Sequence, residues 1–234
     1  MTPSARSVSR NPYAGILAAF AISRILYAWA GVRFQTHLIL SNFQFIDVEL
    51  MKQRLWESLF YYHTYPPLHN AIVGLIVKAF PDSYGGAIHV VHMALGAVSA
   101  VLLFRLMLFL AVPEKLACGL AILFIASPGC VLFENYPMYE YPIMALLLAQ
   151  CVALYKLVDR PSFAAASLFF WCLAALALLR AFYHLFYVTA VVVALIYFLS
   201  KQWKVVAPAA LLPLAMVIAL YIKNLTVFGF FGAS

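Results

Sequence analysis

Leu68-His69-Asn70-Ala71-Ile72-Val73-Gly74-Leu75-Ile76-Val77-Lys78-Ala79-Phe80 is an apolar run of 13 residues. A helix needs about 20 such residues to cross the hydrocarbon core of a bilayer. Every other apolar run, near residues 13–31, 86–111, 116–133, 138–156, 162–179, 182–200 and 205–222, comes close to that length. Whether residues 68–80 cross therefore sets the orientation of everything downstream.

Charge resolves the question, because short cytoplasmic loops are enriched in Lys and Arg. If the run does not cross, Arg6, Arg10, Arg105, Lys115, Lys156, Arg160, Lys201 and Lys204 share one side with two acids, Glu114 and Asp159. The other side holds Asp47, Glu49, Glu57, Asp82, Glu134 and Glu140 with Arg33, Lys52, Arg54, Lys78, Arg180 and Lys223. If it crosses, three strongly basic loops face outward. The sequence thus predicts seven spanning helices, the N-terminus inside, and a re-entrant or interfacial segment at 68–80.

Composition agrees with this class. Of the 234 residues 66% are hydrophobic and 10% charged, and the mean hydropathy is +0.97. These values describe an all-α polytopic membrane protein, since helices satisfy their own backbone groups in lipid and barrel-type alternation is absent. The net charge of +7 follows from the basic inner loops and their contact with anionic lipid, so nucleic acid is not expected as a partner. Cys118, Cys130, Cys151 and Cys172 stand singly in apolar runs, as small packing residues do. The basic N-terminal flank imitates a secretory signal, but Arg24 interrupts the run and many spans follow. Arg24 lies near the middle of the first helix, where a charge faces the bundle interior; the sequence does not name its partner. HExxH, Walker and GxSxG motifs are absent, which argues against a zinc protease, a P-loop ATPase and a serine hydrolase.

The acids gather in the first outer loop, residues 32–80, where chemistry is expected. Residues 45–60 place Asp47 and Arg54 on one face of an amphipathic surface helix, either lining a cleft or simply solvated. Pro66-Pro67 excludes regular helix and sets a sharp turn before Leu68. Tyr61, Tyr62, His63 and Tyr65 crowd that turn, as an interfacial aromatic belt or as a surface for a sugar. Residues 133–142 read as a proline-punctuated loop in which Glu134 and Glu140 offer acceptors to sugar hydroxyls or a metal. Arg180 and His184 mark another outer turn; a guanidinium there suits a phosphate oxyanion, and snorkelling to the interface is the alternative.

Together these features resemble the integral-membrane glycosyltransferases of the GT-C type, which use polyprenyl-phosphate sugars. Asp47-Val48-Glu49 with Gln53-Arg54 and Trp56-Glu57 is similar to the Asp-x-Glu, Gln-Arg and Trp of dolichyl-phosphate-glucose-dependent glucosyltransferases. Tyr65-Pro66-Pro67-Leu68 resembles the Tyr-Pro-Pro-Leu of those enzymes and the Pro-Pro-Leu of protein mannosyltransferases and aminoarabinose transferases. Lys223-Asn224 to Phe228-Gly229 looks like the Lys-Asn-x-x-x-Phe-Gly after the seventh helix of bacterial members.

The resemblance implies one transmembrane module over residues 1–234, an N-terminal portion whose C-terminal part is expected to be missing. It also implies two surface helices in the first outer loop, a prokaryotic plasma membrane and an extracytoplasmic active face. Asp47 would be the catalytic base with Glu49 orienting the acceptor, a glycan, lipid or protein hydroxyl, and Arg180 would hold the donor phosphate. Arg54, His63, Tyr65, Glu134 and His184 would complete the substrate surface. Two departures stand out: Tyr65 replaces the charged residue that many bacterial relatives carry, and Glu134 and Glu140 lack Asp-x-Asp spacing. No cofactor is therefore expected, with a divalent metal the remaining option. The competing expectation is a non-catalytic polyprenyl-lipid-binding or translocating subunit, and a transporter follows behind it.

Overall fold

The structure, a computed structural model, describes residues 11–233; Arg6 and Arg10, placed on the basic side by sequence, lie outside them. All regular structure among the described residues is helical. In chain order the helices are α1 (Asn11–Trp29), α2 (Leu38–Ser41), α3 (Val48–Tyr61), α4 (Leu68–Ala79), α5 (Tyr84–Phe109), α6 (Glu114–Ile125), α7 (Pro128–Glu134), α8 (Glu140–Asp159), α9 (Phe163–Leu179), α10 (Leu185–Phe198) and α11 (Trp203–Phe228).

Four of these, α1, α5, α8 and α11, are long and apolar enough to cross a membrane; α6 and α7, bent by 54° at residues 126–127, make a fifth if taken as one. The bend has a sequence cause. Pro128 cannot donate a backbone hydrogen bond, and Ser127 starts a new helix by accepting from the Cys130 N–H at 3.3 Å. The apolar run at 162–179 gives a helix of 17 residues, nearly its full length, whereas the run at 182–200 gives one of only 14. Arg180 is extended (φ −144°, ψ 132°) and residues 181–183 form a 3-10 turn, so α9 ends at Leu179 with its apolar run and α10 starts late in the next.

The helix with the most buried surroundings is α9, apolar on every side as an internal helix must be. Phe169, Phe170, Leu173 and Ala177 pack on Ala153 and Leu157 of α8 and on Ala210 and Val217 of α11. A second cluster joins α1, α5, α6 and α8 through Ile16, Ala100, Phe104, Ala117, Ala121 and Tyr141. Small residues one turn apart, Ala117 and Ala121, let the helices approach closely.

The third cluster caps one end of the bundle and explains the 13-residue run. In α3, Val48, Met51, Leu55 and Leu59 recur at helical spacing and are buried, and they meet Val73 and Val77 of α4. The two helices form a hairpin. Gly74 is needed there, because a Cβ at that position would stand 2.3 Å from Leu55 Cδ1. The hairpin rests on Ile88 near the start of α5, Ile143 near the start of α8 and Leu176 and Leu179 at the end of α9. At 1.5 Å per residue, the 12 residues of α4 span about 18 Å, well short of the roughly 30 Å core. Its apolar face is buried against α3 and the helix ends.

Candidate functional site

Asp47 caps α3. Its Oδ1 accepts from the Glu49 N–H at 2.9 Å and the Leu50 N–H at 3.3 Å, satisfying two otherwise orphan donors, and the residue is solvent-exposed. The cap fixes the direction of the carboxylate and leaves Oδ2 outside these bonds. The backbone just before it is held equally firmly: Asn70 Oδ1 accepts from the Ile46 N–H at 2.9 Å, and Asn70 Nδ2 donates to the Gln44 carbonyl at 2.9 Å. Asn70, 1% exposed, thereby ties the approach to Asp47 to α4.

The other charged residues of α3 turn to each other. Lys52 donates to Glu49 at 3.0 Å, and Arg54 donates to both oxygens of Glu57 at 2.7 and 2.5 Å. Arg54 also departs from helical backbone (φ −135°, ψ 38°), kinking α3. The common face expected for Asp47 and Arg54 is broken by that kink, and Arg54 is committed to its neighbour three residues on.

At the α3–α4 turn Tyr62 and Tyr65 lie with ring centroids 6.5 Å apart, and Phe43 lies 6.1 Å from Tyr65. The Tyr62 hydroxyl donates to the Gln44 carbonyl at 2.7 Å, and burial pushes its phenol up to about 12. His63 packs against Phe228 at 4.3 Å. Lys223, near the end of α11, donates to the Tyr62 carbonyl at 3.0 Å. The sequence placed Lys223 on the same side as the first loop and in a motif but named no partner for it; a cation near a helix end facing a loop of unpaired carbonyls is the signal for this contact.

Arg180 joins the same end of the bundle. Its guanidinium lies 5.1 Å from the Tyr139 ring centroid and 3.4 Å from Glu140 Oε1. Tyr139, Leu179, Ile46 and Val48 belong to one hydrophobic cluster. The immediate neighbours of Asp47 and of Arg180 are therefore packed together. His184 plays a local part: its Nδ1 accepts from the Phe186 N–H at 3.2 Å and caps α10.

Glu134 departs from the open loop expected of it. It is the last residue of α7, fully buried, and its carboxylate takes Arg24 Nε at 2.9 Å and Nη2 at 2.7 Å as a bidentate pair. The Tyr141 hydroxyl donates to Oε2 at 2.7 Å. Arg24 Nη1 donates to Ser23 Oγ at 2.9 Å and to the Ile125 carbonyl at 2.7 Å, and the Tyr27 hydroxyl donates to the Ala126 carbonyl at 3.2 Å. Both carbonyls are freed by the α6–α7 bend. The missing partner of Arg24 is thus Glu134, legible only by matching the one mid-span cation of α1 to an acid ending another apolar run. Gly96 lets them meet: a Cβ there would lie 2.4 Å from the Tyr141 hydroxyl and 2.5 Å from Glu134 Oε2.

Among the described residues no group of three or more His, Cys, Asp or Glu side chains has metal-holding geometry. Comparison with protein-family models, with curated proteins and with solved structures finds no match to the chain.

Two outcomes are expected. Glu134→Leu leaves the Arg24 guanidinium buried without its counter-charge and lowers stability by about 3–5 kcal/mol, whereas Arg24→Met with Glu134→Leu recovers most of the loss; thermal unfolding in detergent reads both. His69 is 5% exposed, faces the Pro137 carbonyl at 3.1 Å, and is pushed down from 6.5 to about 4 by burial. Between these values the unfolded chain binds the proton and the folded one does not. Stability therefore falls as pH drops from 6.5 to 4, by about 3 kcal/mol from this group. In His69→Gln the part of the acid-destabilisation slope due to residue 69 disappears; an identical slope in both proteins contradicts the assignment.

Proposed function

We propose that the chain is a polyprenyl-phosphate-sugar-dependent glycosyltransferase module of the prokaryotic plasma membrane, acting at the extracytoplasmic face. The observation that carries the reading is the shared packing of the Asp47 and Arg180 surroundings at the end of the bundle covered by α2–α4. An exposed carboxylate and a guanidinium stand on that end with the half-buried rings of Tyr62 and Tyr65, and buried Tyr139 supports the guanidinium. This agrees with the order of motifs that resembles the GT-C type.

In the proposed reaction Asp47 Oδ2 accepts the proton of an acceptor hydroxyl on a glycan, lipid or protein. The hydroxyl oxygen attacks the anomeric carbon as the bond to the phosphate oxygen breaks. One displacement inverts that carbon. Arg180 stabilises the leaving polyprenyl phosphate, and Glu140 and the Tyr139 ring orient its guanidinium. Glu49, His63 and Tyr65 border the acceptor side.

The topology that goes with this reading has seven crossings, α1, α5, α6–α7, α8, α9, α10 and α11, with α2–α4 outside. The 17 residues of α9 and 14 of α10 give about 26 and 21 Å, brought nearer to the core thickness by the flanking turns and local thinning of the bilayer.

A second reading, a polyprenyl-lipid-binding subunit without catalysis, is favoured by one feature. A cavity of about 130 Å³ between α10 and α11 is lined by Leu185, Val188, Thr189, Val192, Leu214, Val217 and Ile218. Its walls suit a hydrocarbon chain.

Asp47→Asn separates the two readings, because Asn caps a helix about as well as Asp and the fold survives. Sugar transfer from radiolabelled polyprenyl-phosphate donors in membranes is expected to fall by about 10²-fold or more in the variant. Transfer equal to wild type removes Asp47 as the base, and lipid binding without turnover in the wild type favours the second reading. For the topology, cysteines at Arg33 and Asp82 are expected to react with an impermeant thiol reagent from the outer face and a cysteine at Lys115 from the inner face. Reaction at residue 82 from the inner face alone makes α4 a span.

A further inference from the structure

A cavity of about 100 Å³ opens between α1, α5 and α7, lined among others by Arg24, Tyr27, His89, Met93, Glu134 and Asn135. It is distinct from the Asp47 surface. Arg24 lies five residues before the end of α1, and His89 five residues after the start of α5, so the cavity reaches about 8 Å below the helix ends. Those ends belong to the side of the bundle that carries the α3–α4 hairpin.

The lining selects a ligand chemistry. Arg24 and Glu134 form a bidentate pair and cancel in charge, so an ion gains no uncompensated counter-charge here. Unused polar capacity remains on neutral groups. The His89 ring nitrogens have no hydrogen-bond partner among the described residues, and Phe34 stacks on the ring at 4.9 Å to hold it in place. Asn135 Nδ2 donates to the Val131 carbonyl, leaving Oδ1 without a partner among the described residues. The Tyr27 hydroxyl spends its proton on Ala126 and keeps lone pairs. An imidazole that both donates and accepts, together with free acceptors, matches a group that does both: a hydroxyl.

We propose that this cavity is a site for neutral hydroxyl groups, supplied either by water or by a polyol such as a sugar, open to the face of the membrane that carries α2–α4. The volume accommodates several waters. The site hydrates the buried ion pair from one side and does not depend on the reaction proposed above.

Met93→Cys tests it, with Val90→Cys as control, because Val90 lies about 4.5 Å nearer the start of α5 and is 59% exposed on the outside of the bundle. With an impermeant thiosulfonate applied to that face and labelling read by peptide mass, the cysteine at 93 is expected to react about tenfold faster than that at 90. If glucose at high concentration slows the reaction at 93 only, the hydroxyls are those of a sugar; if it does not, they are those of water. Reaction at 93 no faster than at 90 overturns the site. Should either variant fold poorly, hydroxyl-radical footprinting of the unaltered chain replaces it. Met93 is then expected to oxidise faster than Met216, which is 43% exposed on the outside of α11; the reverse order overturns the site equally.

Discussion

A carboxylate and a guanidinium buried among apolar helices hold this bundle in register. Such a pair is expensive to desolvate and survives only where geometry and further hydrogen bonds compensate. Arg24 and Glu134 meet that condition. The pair is bidentate, Tyr141 adds a donor to the carboxylate, and the spare guanidinium protons go to Ser23 and to the carbonyl that Ile125 exposes at the α6–α7 bend. The bend and the ion pair are one construction. A straight helix would keep the Ile125 carbonyl for itself, and Arg24 would lose an acceptor that lipid cannot replace.

Much of the architecture was legible from residues alone. The 13-residue run stood out as shorter than its neighbours, and it forms a 12-residue helix paired with α3 on the ends of α5, α8 and α9. The surface helix expected at 45–60 occupies 48–61, because Val48, Met51, Leu55 and Leu59 recur at its period and Asp47 is a good cap. What hydropathy could not show was where apolar sequence stops being helical. The run at 182–200 opens in a 3-10 turn and becomes α10 only at Leu185, since hydropathy measures preference for lipid and says nothing of φ and ψ. The kink at Arg54 escaped for the same reason: its ion pair with Glu57 at i+3 looks helical in sequence.

The candidate site was less legible than the fold. Asp47, Tyr65, His63 and Arg180 were singled out by residue type and position, and Tyr65, His63 and Arg180 lie on elements that touch. Glu134 was assigned to an open loop because two prolines and two acids close together read as solvated. In fact only residues 135–139 lie between α7 and α8. A charge in a mostly apolar chain has two explanations, exposure to water or burial with a partner, and sequence distance hides the second: residues 24 and 134 are 110 positions apart.

That short connection links the buried pair to the surface. Glu134 anchors its start. The Asn135 carbonyl accepts from the Gln35 N–H at 2.9 Å, His69 holds the Pro137 carbonyl at 3.1 Å, and Tyr139 lies under Arg180. Within six residues the chain thus passes from the α1 ion pair to the segment between α1 and α2, then to α4, then to the guanidinium at the end of α9. The position of Arg180 relative to the α3–α4 hairpin is therefore tied to the Arg24–Glu134 pair, which contacts neither of them directly.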